Sequence, residues 1–299
     1  MKLRRMRWPG REFVIGLPFG WLLLFFFLPF LILLYISFVD MGNDILPFKP
    51  LWDGATGQLH LKYQNYASIF RAEDGAPLDT LYVQAYLRSI RYALTTALLC
   101  LGLGYPFAYF LARADARTRP ALLMMVMLPF WTSFLLRVYA WKGILADRGL
   151  LNRLLMALGL VAEPIQMLYT DVSMLVGMSY VYLPFMVLPL YANLVKHDPR
   201  LLEAAYDLGA TPWQAFWLVT VPLSRAGIAA GCLLVFIPAV GEFVIPSLLG
   251  GPQNLMIGRA VWDELFTANN WPRAAALAVV MIVAIVLPLA LYYRRQGGR

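Results

Sequence analysis

Few side chains in this 299-residue sequence are placed for covalent chemistry. His60 and His197 are far apart and flank no catalytic pattern. Cys100 and Cys232 each lie inside an apolar run, so a disulfide is not expected, and no metal-ligand spacing is present. A nucleotide-cradling Gly-x-x-x-x-Gly-Lys-Ser/Thr sequence is missing. An enzyme acting on lipid-linked substrates would need His, Asp or Ser clustered near one membrane face, and neither histidine has such company. Two isolated charges remain. Glu242 sits in an apolar segment, bracketed by Gly241, Phe243 and Pro246. A carboxylate deep in a bilayer costs roughly 3 kcal/mol, so it faces an aqueous path or pairs with a cation. Arg137, in another apolar segment, is one candidate partner for it.

The elements that must hold these groups are membrane helices. Hydrophobic residues form 61% of the chain, charged residues only 14%, and mean hydropathy is +0.64. A soluble domain carries about 25% charged residues, so this surface cannot be covered for water. Six apolar segments occur, at about 13–39, 87–112, 121–141, 172–195, 225–250 and 274–293. The first follows Lys2, Arg4, Arg5, Arg7 and Arg11. It is longer than a signal peptide's apolar core and no small-residue cleavage site follows, so a retained anchor is expected. The prediction is an all-α polytopic bundle of about six transmembrane helices.

Six spans put both termini on one side. That side, with the connections between segments two and three and between four and five, holds 14 of the 25 Lys and Arg. The opposite side holds the other 11 over much longer loops, and 12 of the 17 acids with Glu242 counted there. The positive-inside rule therefore places both termini in the cytoplasm. The net charge of +8 belongs to this asymmetry and not to a nucleic-acid patch. On the outside, residues 40–86 carry Asp40, Asp44, Asp53, Glu73, Asp74 and Asp79 against Lys49, Lys62 and Arg71. Residues 149–159 read as an amphipathic stretch at the interface, with Asn152 in it. Trp262 and Trp271, near Asp263 and Glu264, suit the headgroup zone.

The cytoplasmic loop 196–225 is legible from local rules. Asp198 is a good N-cap, and Pro199 suits the first helical position. Leu201, Ala205 and Leu208 share one face. Gly209 suits a left-handed C′ position, and Thr211-Pro212 restarts a helix. Trp213, Phe216 and Trp217 are expected to face the bundle or interface, and Pro222 to end the second helix. Three readings fit this helix–turn–helix: an unpartnered interfacial loop, a DNA reader, or a docking helix. A loop tethered at both ends by membrane helices cannot easily enter a groove of DNA. In the docking reading, Ala204 and Ala205 let a partner backbone approach and Glu203 is the polar anchor.

Glu203-Ala204-Ala205, three residues, Gly209, nine residues, then Val219-Thr220-Val221-Pro222 resembles the EAA loop of binding-protein-dependent ABC importers. Val stands where the family pattern has Ile and Leu, which alters bulk but not polarity. The resemblance extends from about Leu81 onward. Pro129-Phe-Trp-Thr-Ser-Phe-Leu-Leu-Arg137-Val-Tyr-Ala-Trp141, Pro238 through Pro252, Met256-Ile-Gly-Arg259-Ala-Val-Trp262 and Asn270-Trp-Pro272 are similar to the polyamine branch. Within that branch the chain looks like the first permease subunit of putrescine importers, with spermidine importers next.

The resemblance implies a type I importer permease fold in one 1–299 domain. A first helix would span 12–40 and a periplasmic loop 41–86. The 87–293 core would contain the coupling loop 196–224. It implies a bacterial inner-membrane complex with a second permease subunit, two ATPase copies and a periplasmic binding protein. ATP and Mg²⁺ would sit on the ATPase, with no cofactor on this chain and no hydrolysis by it. Glu203, Ala204, Ala205, Asp207, Gly209 and Pro222 would couple to the ATPase. A polycation's path needs carboxylates for charge and ring faces for ammoniums, which points to Glu242 with Phe236, Phe243, Tyr180 and Tyr182. Arg137 would gate the path or pair with an acid. Glu242 would then line the path, or pair with Arg137 or an arginine of the companion subunit. A permease for another small organic cation is the alternative. An ion-coupled carrier or channel would show inverted repeats or several intramembrane charges per half, which are not evident.

Overall fold

The computed structural model describes residues 10–42, 47–52, 60–70 and 80–296. Asp44, Asp53, Glu73, Asp74, Asp79, Arg71 and the basic N-terminal positions 2–7 lie outside the described residues. The main helices in chain order are α1 (10–37), α2 (Leu81–Arg113), α3 (Arg119–Trp131), α4 (Phe134–Leu145), α5 (Leu150–Ala157) and α6 (Asp171–Leu194), with one short turn of helix at Gln64–Ala67 between the first two. After them come α7 (Arg200–Asp207), α8 (Pro212–Leu223), α9 (Arg225–Val240), α10 (Val244–Leu248), α11 (Ile257–Trp262) and α12 (Trp271–Gln296). One isolated antiparallel bridge joins Met41 and Phe48.

Four helices are long and apolar enough to cross a membrane: α1, α2, α6 and α12. The remaining candidates are bent pairs, α3 with 134–157 at 86° and α8 with α9 at 66°, so counting each pair as one span gives six. Two predicted segments are therefore not continuous helices. The 121–141 segment breaks at Thr132 and Ser133, where Thr132 is extended and its hydroxyl donates to the Pro129 carbonyl at 2.7 Å. The 225–250 segment stops at Gly241 and restarts as α10. Apolar periodicity sees composition and not these breaks, which arise where proline withholds a donor and side chains take over backbone groups.

The chain forms two compact units, 1–80 with 261–299, and 81–260. In the first unit, α1 presents an exposed apolar surface over residues 12–32, and its last turns pack on α12. Lipid suits such a surface. At its end the Asn65 amide donates to the carbonyls of Ser37 (3.0 Å) and Val39 (2.8 Å). The Ser37 and Tyr66 hydroxyls bond at 2.7 Å, and Lys62 pairs with Asp40 at 2.6 Å. These bonds fold the residues that follow α1 back onto its end.

The second unit is built on α2, α6 and α9 packed together. Small residues permit that approach. A Cβ at Gly227 would stand 2.7 Å from the Asn193 side chain, and one at Gly231 would stand 2.6 Å from the Met186 sulfur. The Gly227-x-x-x-Gly231 spacing thus marks a close helix contact. Polar bonds tie the helix ends. The Tyr92 hydroxyl reaches Asp171 (2.8 Å) and Asn254 (3.2 Å), and the hydroxyls of Tyr105 and Ser224 bond at 2.8 Å. Ser89 accepts from the Ile257 amide at 2.7 Å, pinning the start of α11 to α2.

Candidate functional site

The 196–225 hairpin forms as its local chemistry dictates. The Asp198 carboxylate accepts the Arg200 amide at 3.0 Å, so α7 starts at Arg200, one residue later than the sequence suggests. At its other end Gly209 has φ +84°. The Gly209 amide reaches the Tyr206 carbonyl (2.9 Å) and the Ala210 amide reaches the Ala205 carbonyl (3.0 Å). This is a Schellman ending with glycine at C′. Thr211 and Gln214 then form a reciprocal capping box, with Pro212 in the first turn of α8. Pro222 does not end the helix. α8 runs to Leu223, and the proline, which cannot donate to the Leu218 carbonyl, follows a π turn at Phe216–Thr220.

Glu203, Ala204, Asp207 and Gly209 are exposed and Ala205 is half-buried. Among the described residues the face carrying Leu201 and Leu208 stays exposed, Leu208 to 89%. Of the three aromatics, only Phe216 turns inward, edge-on to Tyr105 (5.5 Å) and Tyr109 (5.6 Å). Trp213 and Trp217 are exposed and pack on Phe216 from outside. Between α7 and the ends of α2 and α6 lies a groove of about 540 Å³. Its lining includes Arg113, Arg119, His197, Glu203 and Tyr206.

Glu242 is half-buried at the break between α9 and α10. One carboxylate oxygen accepts from the amides of Phe243 (3.2 Å), Val244 (3.0 Å) and Ile245 (3.4 Å), capping α10. The other accepts the buried Tyr182 hydroxyl at 2.5 Å. Of the roles left open for Glu242, pairing with Arg137 is not formed among the described residues: the break offers donors closer to hand. Arg137 instead lies 5.3 Å over the ring of Phe130, its Nε and Nη1 buried with no hydrogen-bond partner among the described residues.

An aromatic row connects the two charges. Phe130 meets Phe185 edge-on at 5.2 Å, and Phe185 lies 6.2 Å from Tyr182, whose hydroxyl is bound to Glu242. Sequence reasoning missed Phe130 and Phe185. Phe185 was discoverable, because it lies three residues beyond Tyr182 on the same face of α6. Phe130 carries no such signal. Tyr180 does not join the row: it points to Trp141 (5.5 Å) and borders an apolar crevice of about 310 Å³ with Phe107 and Phe110. Phe236 and Phe243 are half-buried on either side of the break.

Residues 101–296 match the family model described as "binding-protein-dependent transport system inner membrane component". The chain is 40% identical over 275 residues to the spermidine/putrescine transport system permease protein PotB of Salmonella typhimurium (strain SL1344), covering 92% of this chain and 90% of that one. The protein of that name from Escherichia coli K12 is 39% identical, with 92% and 94% covered. The fold also matches a crystal structure of a bacterial ABC transporter involved in alginate import. The TM-score is 0.61 at 19% identity, over 95% of this chain and 96% of that one. Together with the helical membrane architecture, these matches place the chain in the binding-protein-dependent inner-membrane transport family, as the permease subunit of an ABC importer.

Proposed function

We propose that this permease carries polyamines, putrescine and spermidine, from periplasm to cytoplasm. The observation carrying this reading is near-end-to-end identity of 39–40% with spermidine/putrescine permeases. The Glu242 site supports it: a carboxylate beside ring faces offers what a chain of ammoniums and methylenes needs. In this reading Glu242 both holds α10 and gives the path negative potential. Tyr182, Phe185 and Phe130 supply ring faces, Phe243 and Phe236 flank the break, and Arg137 closes the far end.

The complex contains a second permease subunit, two cytoplasmic ATPase copies that bind ATP and Mg²⁺, and a periplasmic binding protein that selects the polyamine. Both termini and the 196–225 hairpin face the cytoplasm, as the basic-residue asymmetry supports. Glu203, Ala204, Ala205, Asp207 and the Gly209 turn dock in the ATPase, and Pro222 shapes the returning helix. The α7 face, exposed among the described residues, supports that role.

The test is ATPase stimulation. In the purified complex, putrescine- or spermidine-loaded binding protein should raise hydrolysis several-fold over the unloaded protein. Equal rates with loaded and unloaded binding protein, and stimulation only by a different solute, would defeat the polyamine assignment.

A further inference from the structure

Arg137 is held in an unusual way. Its guanidinium rests on the face of Phe130, and two of its nitrogens are sealed from solvent without an acceptor among the described residues. A buried cation is normally held by an anion. Here the anion on the same aromatic row, Glu242, is already occupied by Tyr182 and the amides of α10. The guanidinium thus occupies a ring face of the kind an ammonium would use, at the opposite end from the carboxylate. Its seat is weak, because the donors it buries there remain unsatisfied.

The geometry points to Arg137 as a tethered competitor cation. It occupies the Phe130 end of the row at rest, repels a polycation approaching along the rings, and leaves only when the transport cycle moves α3 and α4. Arg137 is thereby a specificity-determining residue that suppresses passive passage of polycations. The effect scales with substrate charge, since each added ammonium meets the same fixed positive group. This inference rests on the reading that the aromatic row lines the path.

The experiment uses the full complex in proteoliposomes loaded with labelled spermidine or putrescine, without ATP. Arg137→Met keeps the length of the side chain and removes its charge, whereas Arg137→Lys keeps the charge. Arg137→Met should raise ATP-independent efflux about 5-fold or more for spermidine and less for putrescine, while Arg137→Lys stays near wild type. Sucrose efflux should not change. Wild-type spermidine efflux from an assembled Arg137→Met complex would overturn the inference. So would an equal rise in sucrose efflux, which means loosened packing. If Arg137→Met fails to assemble, Arg137→Gln takes its place. Failure of both to assemble makes the guanidinium a structural tie and overturns the inference as well. ATP-driven uptake by the wild-type complex is measured in parallel. Its absence would defeat the polyamine reading itself, independently of the leak.

Discussion

The hairpin at 196–225 and the break at 241–243 both interrupt apolar helices, yet they are built on opposite principles. The hairpin is held by residues within a few positions of one another: Asp198 on Arg200, Gly209 on Tyr206, Thr211 on Gln214. The break is held by a carboxylate that gathers three local amides and a hydroxyl sixty residues earlier in the chain. A locally specified device keeps its shape while projecting from the bundle, which suits a part that must meet another protein. A device specified across helices changes when those helices move, which suits a part that must open.

The largest effect should come from Glu242→Ala. It strands the α10 amides and the Tyr182 hydroxyl, at about 1–3 kcal/mol for each buried donor left unsatisfied, so both assembly and uptake should fail. Glu242→Gln keeps an acceptor and removes the charge. It should leave the complex assembled and slow uptake, more for spermidine than for putrescine. Normal uptake of both by an assembled Glu242→Gln complex would reduce the residue to a cap.

Next in size is Gly209→Val. No heavy atom among the described residues lies within 4 Å of a Cβ built at Gly209, so the penalty is conformational and not steric. A β-branched residue at φ +84° costs about 1–2 kcal/mol. Uptake and ATPase stimulation should fall while membrane insertion and binding of the second permease subunit persist. Gly209→Asn, which tolerates the left-handed region, should restore much of the activity. Equal behaviour of the two variants would refute the turn argument. A smaller loss, about 1 kcal/mol of hairpin stability, is expected for Thr211→Ala, read as faster amide exchange at Gln214 with uptake only slightly reduced.

These differences also explain what was legible in the sequence. Gly209 and Thr211-Pro212 could be read because each obeys a short-range rule. The Glu242 partner could not, because the choice between Arg137 and Tyr182 depends on where α6 and α4 pass the break. The shared face of Leu201, Ala205 and Leu208 was legible but its partner was not: amphipathicity announces a partner and does not say whether the same chain provides it. Asn152 is a similar case. It lies in an amphipathic stretch whose pattern does not say which polar residues turn inward, and it is wholly buried, bonding the Ile165 amide and carbonyl at 3.0 and 2.9 Å.

The smallest effect follows from that burial. In a background of Cys100→Ser and Cys232→Ser, a cysteine at 153 or 163 should react with an impermeant reagent from outside spheroplasts. A cysteine at 152 should not, and neither should one at 203. Labelling at 203 from outside would reverse the proposed orientation.

The most direct test of the central claim is ATP-driven uptake in vesicles containing the complete complex and its binding protein. Saturable accumulation of labelled putrescine and spermidine is predicted, dependent on the binding protein and lost in Gly209→Val. Absence of uptake for both polyamines, in vesicles whose ATPase responds to a binding protein loaded with another solute, would contradict it.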